Sequence, residues 1–226
     1  MTSGISEKKE KLYFAPGCAL MLYKPDLVDK ILDLLNRNLG KVELLLTCCQ
    51  HDPKLSENSK VINVCPGCDK RFSKDYKGVT TVSLWEVINE NNFLEFPDYR
   101  GREMSIIDAC PTREVSIVQN SIRDLLIKMN INLVEPQNTR KESTCCGDVY
   151  YGSMPTSKVK ELMVEKATEM PVNEIVVHCV SCIIAVFNGG KNPRYVADLL
   201  FNEETAVKNI DLDIWHDRLM QFINTH

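Results

Sequence analysis

The chain has 226 residues, 44% of them hydrophobic and 26% charged, with a formal net charge of −4. That length buries a sizeable core, as one large domain or two small lobes. The acidic balance argues against a nucleic-acid or anionic-membrane surface, since phosphate recognition needs a concentrated basic field.

Met1 to Lys11 is polar and charged with no apolar stretch behind it, so no secretory signal is expected. Leu12 to Ala15 is a short apolar run ended by Pro16 and Gly17, which predicts a strand with Cys18 at its carboxyl end, where a turn begins. Pro25 opens a helix carrying Leu27, Val28, Ile31, Leu32, Leu34, Leu35 and Leu39 at helical spacing, stopped by Gly40. Val42 to Leu46 returns as a strand and delivers Cys48 and Cys49, so the unit predicts a parallel pair with a right-handed crossover. After the polar connection His51 to Lys60, the strand Val61 to Val64 runs into Cys65-Pro66-Gly67-Cys68, followed by a short helix Asp69 to Tyr76. Val79 to Val82 and a helix from Ser83 close this half, and the polar stretch Asn91 to Arg102 marks a boundary, dividing the chain at 1–100 and 101–226.

The second half follows the same plan. A strand Met104 to Asp108 leads to Cys110, then a helix Arg113 to Met129, a strand Asn132 to Glu135 and a loop carrying Cys145 and Cys146. A helix Thr156 to Met170 precedes the strand Glu174 to Val177, which runs into Cys179 and Cys182 and the helical run Ile183 to Phe187. The apolar run Ile175 to Phe187 is interrupted by His178 and Ser181 and falls short of a membrane span, so a cytoplasmic protein is expected. The tail Asp211 to Thr225 predicts an amphipathic helix with Ile214, Trp215, Leu219, Phe222 and Ile223 on one face.

All ten cysteines fall into two sets in the order C, CC, CxxC. They are Cys18, Cys48-Cys49, Cys65 and Cys68, then Cys110, Cys145-Cys146, Cys179 and Cys182. An offset of 114 carries Cys65 and Cys68 onto Cys179 and Cys182, and places Val82 on Val196 and Trp85 on Leu199. The interval between CC and CxxC is 15 residues in the first half and 32 in the second, a difference that matches the helix Thr156 to Met170. An internal duplication that lost one helix in its first copy accounts for this. The predicted fold is α/β, with two pseudo-symmetric lobes, each a small parallel sheet flanked by helices.

Parallel strands gather residues far apart in sequence at one sheet edge, and a CxxC opening a helix is favoured as thiolate by the helix dipole. Zinc and cubane iron–sulfur clusters each take four protein ligands, so five thiols exceed both and favour a polynuclear cluster. A lone CxxC is shared by zinc knuckles and thioredoxin-like sites; it is the duplicated set that points to a metal or cluster. His178, beside Cys179, and His51, beside Cys49, are candidate proton donors to a leaving thiolate or supports for the ligands, against the plainer reading of satisfied structural histidines. Met21, Met154 and Met163 read as core filler.

The duplicated pattern, with Cys145-Cys146-Gly147 in its second copy and the openings Tyr13 to Cys18 and Ile107 to Cys110, resembles the cysteine-rich CCG domain found in the B-type, disulfide-reducing component of heterodisulfide reductase. The resemblance spans Leu12 to about Leu200. It implies two noncubane 4Fe-4S clusters that reduce a disulfide, one held by Cys110, Cys145, Cys146, Cys179 and Cys182, the other by Cys18, Cys48, Cys49, Cys65 and Cys68. In the first copy Gln50 stands where the family has glycine and the interval to CxxC is short, so zinc is the alternative occupant there. The family's larger members carry a ferredoxin-like CxxCxxCxxxCP run that this chain lacks, which implies electrons from a partner, either the iron–sulfur subunit that such complexes pair with the CCG component or a flavoprotein. The expected function is an oxidoreductase subunit acting on a disulfide or passing electrons; the alternative is a non-catalytic zinc- or cluster-stabilised electron-relay or docking module.

Overall fold

The computed structural model describes residues 10–207 and 211–226; the polar start through residue 9 lies outside the described residues. Strand β1 (Lys11–Ala15) leads into a short helix α1 (Gly17–Tyr23) and then α2 (Pro25–Leu39), which begins on its proline and stops before Gly40 as its spacing predicts. Leu27, Val28, Ile31, Leu34 and Leu35 bury the inner face of α2, each contributing about 1.5–3 kcal/mol of transfer free energy. Then come β2 (Val42–Leu44), β3 (Ser59–Asn63), α3 (Pro66–Asp75), β4 (Val79–Ser83) and α4 (Leu84–Asn91). A capping box opens α4: Ser83 Oγ accepts the Trp85 N–H, and Glu86 accepts the Ser83 N–H.

The second half runs β5 (Arg102–Ile107), a 3-10 turn at Cys110–Thr112, α5 (Ser116–Lys128), β6 (Ile131–Leu133), α6 (Thr156–Thr168), β7 (Glu174–Val177), α7 (Val180–Asn188), β8 (Asn192–Tyr195) and α8 (Val196–Leu200). The helix α9 (Leu212–Thr225) closes the chain. The four strands of each half form one sheet, in the orders β2-β1-β3-β4 and β6-β5-β7-β8, and every pair is parallel. This is the two-lobe α/β architecture with matching sheets. No helix fills the connection between β2 and β3, whereas α6 fills the one between β6 and β7, as the unequal intervals predict.

Sheet register corrects one detail of the repeat. Asn63 pairs with Ser83 and Val177 with Tyr195, so Ser83 corresponds to Tyr195, and Trp85 to Ala197 rather than Leu199. The stretch from the second cysteine of CxxC to the end of the next strand is two residues shorter in the second half, from Cys182 to Tyr195 against Cys68 to Ser83. Several boundaries also move. Helix α3 starts at Pro66 rather than Asp69, α5 at Ser116 rather than Arg113, and α7 at Val180 rather than Ile183; Cys18, expected at a strand end where a turn begins, lies in the first turn of α1. On α9, Leu212 and Trp215 are the buried pair, while Ile214 is 58% exposed because it lies about 100° around the helix from Trp215. Met163 is fully buried, but Met154 is 40% exposed and is not core.

One apolar cluster runs through both halves, from Phe14, Ile31 and Trp85 to Ile122, Val176 and Trp215. The halves meet where α4 packs on α5 and α1 on α7. Trp85 and Tyr23 each meet the Tyr195 ring edge-on, and Tyr23 Oη and Lys24 Nζ donate to the buried Asp198 at 2.6 and 2.7 Å. Helix α9 packs on α1 of the first half. Among the described residues no helix is long and apolar enough to cross a membrane.

Candidate functional site

In each sheet the order reverses direction between two strands, β1 and β3 or β5 and β7, which is where parallel sheets open a crevice at their carboxyl ends. The single cysteines and the CxxC pairs follow these four strands. Cys18 and Cys110 follow β1 and β5; Cys65 and Cys179 are the residues on which α3 and α7 begin, after β3 and β7. The CC pairs arrive on the loops after β2 and β6. All ten are free thiols.

The two sets are wired alike. In the second, the thiols shift one another's acidity in the order Cys110, Cys145, Cys146, Cys182, Cys179, and Cys182 Sγ donates to Cys146 Sγ at 3.5 Å. In the first the order is Cys18, Cys48, Cys49, Cys68, Cys65. Each row has members driven to thiolate. Hydrogen bonds from Cys110 and Cys146, backed by the Gly147 and Val149 N–H groups, hold Cys145 far below its ordinary value. Cys18 and Cys49 do the same for Cys48, and the Cys68 thiol with the Gly67 and Cys68 N–H groups lowers Cys65 to about 7. Their neighbours move the other way: Cys48 pushes Cys49 up to about 12, and Cys145 raises Cys110.

The fit of a metal group rests on this donor set. Thiolate sulfur supported by backbone N–H groups is the donor type of both iron–sulfur clusters and zinc sites. Among the described residues no group of three or more His, Cys, Asp or Glu side chains is placed to hold a metal ion as the thiols stand.

What surrounds the two CC loops differs. Gly147 has φ +103°, and a Cβ there would lie 3.1 Å from Leu162 Cβ and 3.2 Å from the Val159 carbonyl oxygen of α6. Gln50, its counterpart, is not in a left-handed conformation; the helix that crowds Gly147 has no equivalent in the first half. Lys166 of α6, 2% exposed, reaches Thr144 Oγ1 at 3.1 Å and Glu169 at 3.0 Å. The Ser143 carbonyl accepts from Arg113, and Ser143 Oγ donates to the Asp108 carbonyl. The first loop leans on α9 instead: the Cys48 N–H donates to the His226 carbonyl at 3.2 Å, and His51 Nε2 meets the Ile223 carbonyl at 2.8 Å.

Behind Cys110 lies an ionic network that sequence reasoning missed. Arg123 of α5 donates to both carboxylate oxygens of Asp108 at 2.9 Å, to Glu135 at 2.6 and 2.9 Å, and to Thr139. Burial pushes the Asp108 carboxyl up, but the Arg123 hydrogen bonds and charge prevail and hold it below its usual range. The signal available was the repeat: sheet register sets Ile107 against Ala15, which places Arg123 where the first copy has the buried Ile31.

A cleft of about 460 Å³ lies between the halves, lined by Cys65, Asp69 and Lys70 from one side and by Cys110, Arg113 and His178 from the other. It therefore touches one thiol of each set. His178 is 1% exposed; its Nε2 accepts the Ala109 N–H at 3.0 Å, and burial lowers its pKa to about 4. His51 is exposed and does not line this cleft.

The chain matches no protein-family model and no curated protein. Among solved structures, an aspartate racemase from Picrophilus torridus aligns with a TM-score of 0.36 and 10% identity, over 84% of this chain and 90% of that one. A likeness of that strength bears on neither site nor reaction.

Proposed function

We propose that this chain is an iron–sulfur redox subunit that reduces a disulfide or passes electrons, with one noncubane 4Fe-4S cluster on each five-thiol set. The observation that carries this reading is that each half delivers its five thiols after equivalent strands, the single cysteine and the CxxC at the sheet's topological switch point. Cys110, Cys145, Cys146, Cys179 and Cys182 would hold one cluster, and Cys18, Cys48, Cys49, Cys65 and Cys68 the other. When bound, such a group supplies one-electron redox chemistry tuned by hydrogen bonds to its sulfurs.

The chain's own residues do the rest. The Gly147 and Val149 N–H groups at Cys145, and the Gly67 and Cys68 N–H groups at the start of α3, favour sulfur in its anionic, ligating form. The cleft between Cys65 and Cys110 is the place for a small disulfide substrate, because it alone among the described pockets touches both sets. All ten cysteines belong to the two sets, so electrons come from a partner, an iron–sulfur subunit or a flavoprotein.

Elemental analysis tests the reading. Anaerobically purified protein is expected to carry roughly eight iron atoms and a like amount of acid-labile sulfide, two clusters of four. Stoichiometric zinc without iron would overturn the proposal and leave a zinc-stabilised docking module in its place.

A further inference from the structure

Helices α3 and α7 open on the CxxC pairs of the two sets and hold equivalent places, yet their outer faces differ. Helix α6 packs on α7. There Asn188 Nδ2 donates to Met163 Sδ at 3.9 Å, and a Cβ on Gly189 would lie 2.2 Å from Ala167 Cβ. The first half has no counterpart of α6, and α3 rests on β3, β4 and the Cys110–Thr112 turn.

The offset of 114 between the CxxC pairs puts Lys74 and Asp75 at the places of Asn188 and Gly189. One turn back it puts Lys70 and Arg71 at the places of the buried Ile184 and Ala185. Lys70, Arg71, Lys74 and Asp75 are exposed, as is Lys77 just beyond the helix. The face that α6 covers in the second half is therefore open in the first, and it is cationic. Among the described residues none of these four cations belongs to an ion pair. They stand against Asp69 and Asp75 alone on this segment, in a chain whose net charge is −4; Asp69 is half-buried and accepts the Asn63 amide at 3.2 Å. Like charges one turn apart, as in Lys70 and Lys74, disfavour a helix. With no ion pair to offset it, the arrangement is accounted for by what the face meets outside the chain.

This helix also belongs to the first thiol set at both ends. It begins on Cys65 and carries Cys68 in its first turn, and beyond its last turn Tyr76 Oη donates to the Cys49 and His51 carbonyls at 3.2 and 2.8 Å. Lys70 and Ser73 reach the lining of the cleft between the halves.

We infer that the outer face of α3 docks a protein whose own surface is acidic, in the place that α6 fills in the second half. Unpaired cations concentrated on one helix attract and orient a partner of opposite charge. The partner's role rests on the proposed function, which this deepens: it is the electron donor, it loses one electron, and the first set's cluster gains it. Docking itself makes and breaks no covalent bond.

The probe is a strongly acidic [2Fe–2S] ferredoxin, titrated in its oxidised form into the full, anaerobically purified chain. Binding should weaken by about tenfold or more between about 0.01 M and 0.15 M ionic strength, as the screening length falls from about 30 to about 8 Å. At the lower salt, Arg71→Glu with Lys74→Glu should weaken it by about tenfold or more, while Lys41→Glu with Lys158→Glu, which changes the net charge equally on other faces, should stay within about twofold. No binding at low salt, equal losses in the two double variants, or tighter binding of duplex DNA, phosphatidylserine vesicles or a basic cytochrome overturns the inference. Iron content and reduction by the cationic donor methyl viologen are separate readouts. A chain that holds iron and is reduced by the viologen, but binds ferredoxin without dependence on Arg71 and Lys74, sinks the docking surface alone. Charge-dependent docking on an iron-free chain sinks the redox reading and leaves the surface standing.

Discussion

Replacing Arg123 by isoleucine, the residue at the equivalent place in the first half, separates an ionic from an apolar way of building the same core. The Asp108 side chain is fully buried and that of Arg123 is 7% exposed. Without the guanidinium, Asp108 keeps only the Arg140 N–H at 2.6 Å and the Thr139 hydroxyl. Breaking one side of a buried pair costs about 3–5 kcal/mol, because the other charge stays buried. Glu135 adds little to that figure, since its side chain is 36% exposed and can rehydrate. Asp108→Asn keeps the shape and leaves Arg123 paired to Glu135, at a cost of about 1–3 kcal/mol. The double variant removes both charges together and should cost less than the two singles combined, by about 1–3 kcal/mol. Guanidinium unfolding of the reduced, metal-free protein, followed by the fluorescence of the buried Trp85 and Trp215, measures all three. The pH dependence has a definite sign. Folded Asp108 and Glu135 both lie below their ordinary values, so the network's contribution is complete above the unfolded carboxylate range near 4 and fades as pH falls through the lower folded values. The gap between wild type and Arg123→Ile should therefore narrow in acid. A cost under about 1 kcal/mol at pH 7, additive singles, or a gap that does not change with pH would refute the argument.

Two glycines give further tests in the same unfolding assay. Gly147→Ala should cost about 2–4 kcal/mol, combining left-handed strain with a Cβ placed 3.1 Å from Leu162 Cβ, whereas Gln50→Ala, outside the left-handed region, should stay within about 0.5 kcal/mol. Gly189→Ala would set its Cβ 2.2 Å from Ala167 Cβ; it should cost more than about 2 kcal/mol, and a second change, Ala167→Gly, should recover more than half of that despite its own helix penalty of about 1 kcal/mol.

What was legible in the sequence follows from which physics is local. Helix α2 runs from Pro25 to Leu39 as predicted because a proline start, a glycine stop and a single apolar face all act within one segment. The Cys65-Pro66-Gly67-Cys68 stretch held the same kind of signal, a proline at the first helical position, yet its glycine suggests a turn; the helix forms around it and puts Cys68 in the first turn. The order C, CC, CxxC places all ten thiols at the right strand ends, since topology carries them there once the strands are known. Arg123 is different. A single arginine on an amphipathic helix resembles a solvated face; beyond its repeat position opposite Ile31, it is the packing of α5 against the Asp108 strand end that reveals it as buried. The cleft is less legible still, because it forms only where the two halves pack together.

The asymmetry between the two sets also has a tertiary origin. In the second half the CC loop is held by local material: α6 crowds Gly147, Lys166 anchors Thr144, and Arg113 binds the Ser143 carbonyl. All three ties span about 30 residues or fewer. The first half lacks that helix, and its CC loop is held by the last turn of α9, through the Cys48 N–H to His226 and through His51 to the Ile223 carbonyl, 172 residues away. A helix assigned from sequence to the second lobe thus supports the first lobe's thiols, doing there what α6 does for the second. Closing a contact over that distance carries a larger loop entropy than closing a local one. The first set therefore depends on the whole chain being folded, while the second is built largely by its own half. Gln50 is tolerated beside Cys49 for the same reason: support arriving through backbone carbonyls of α9 does not press a helix against the position, and no residue without a side chain is required there.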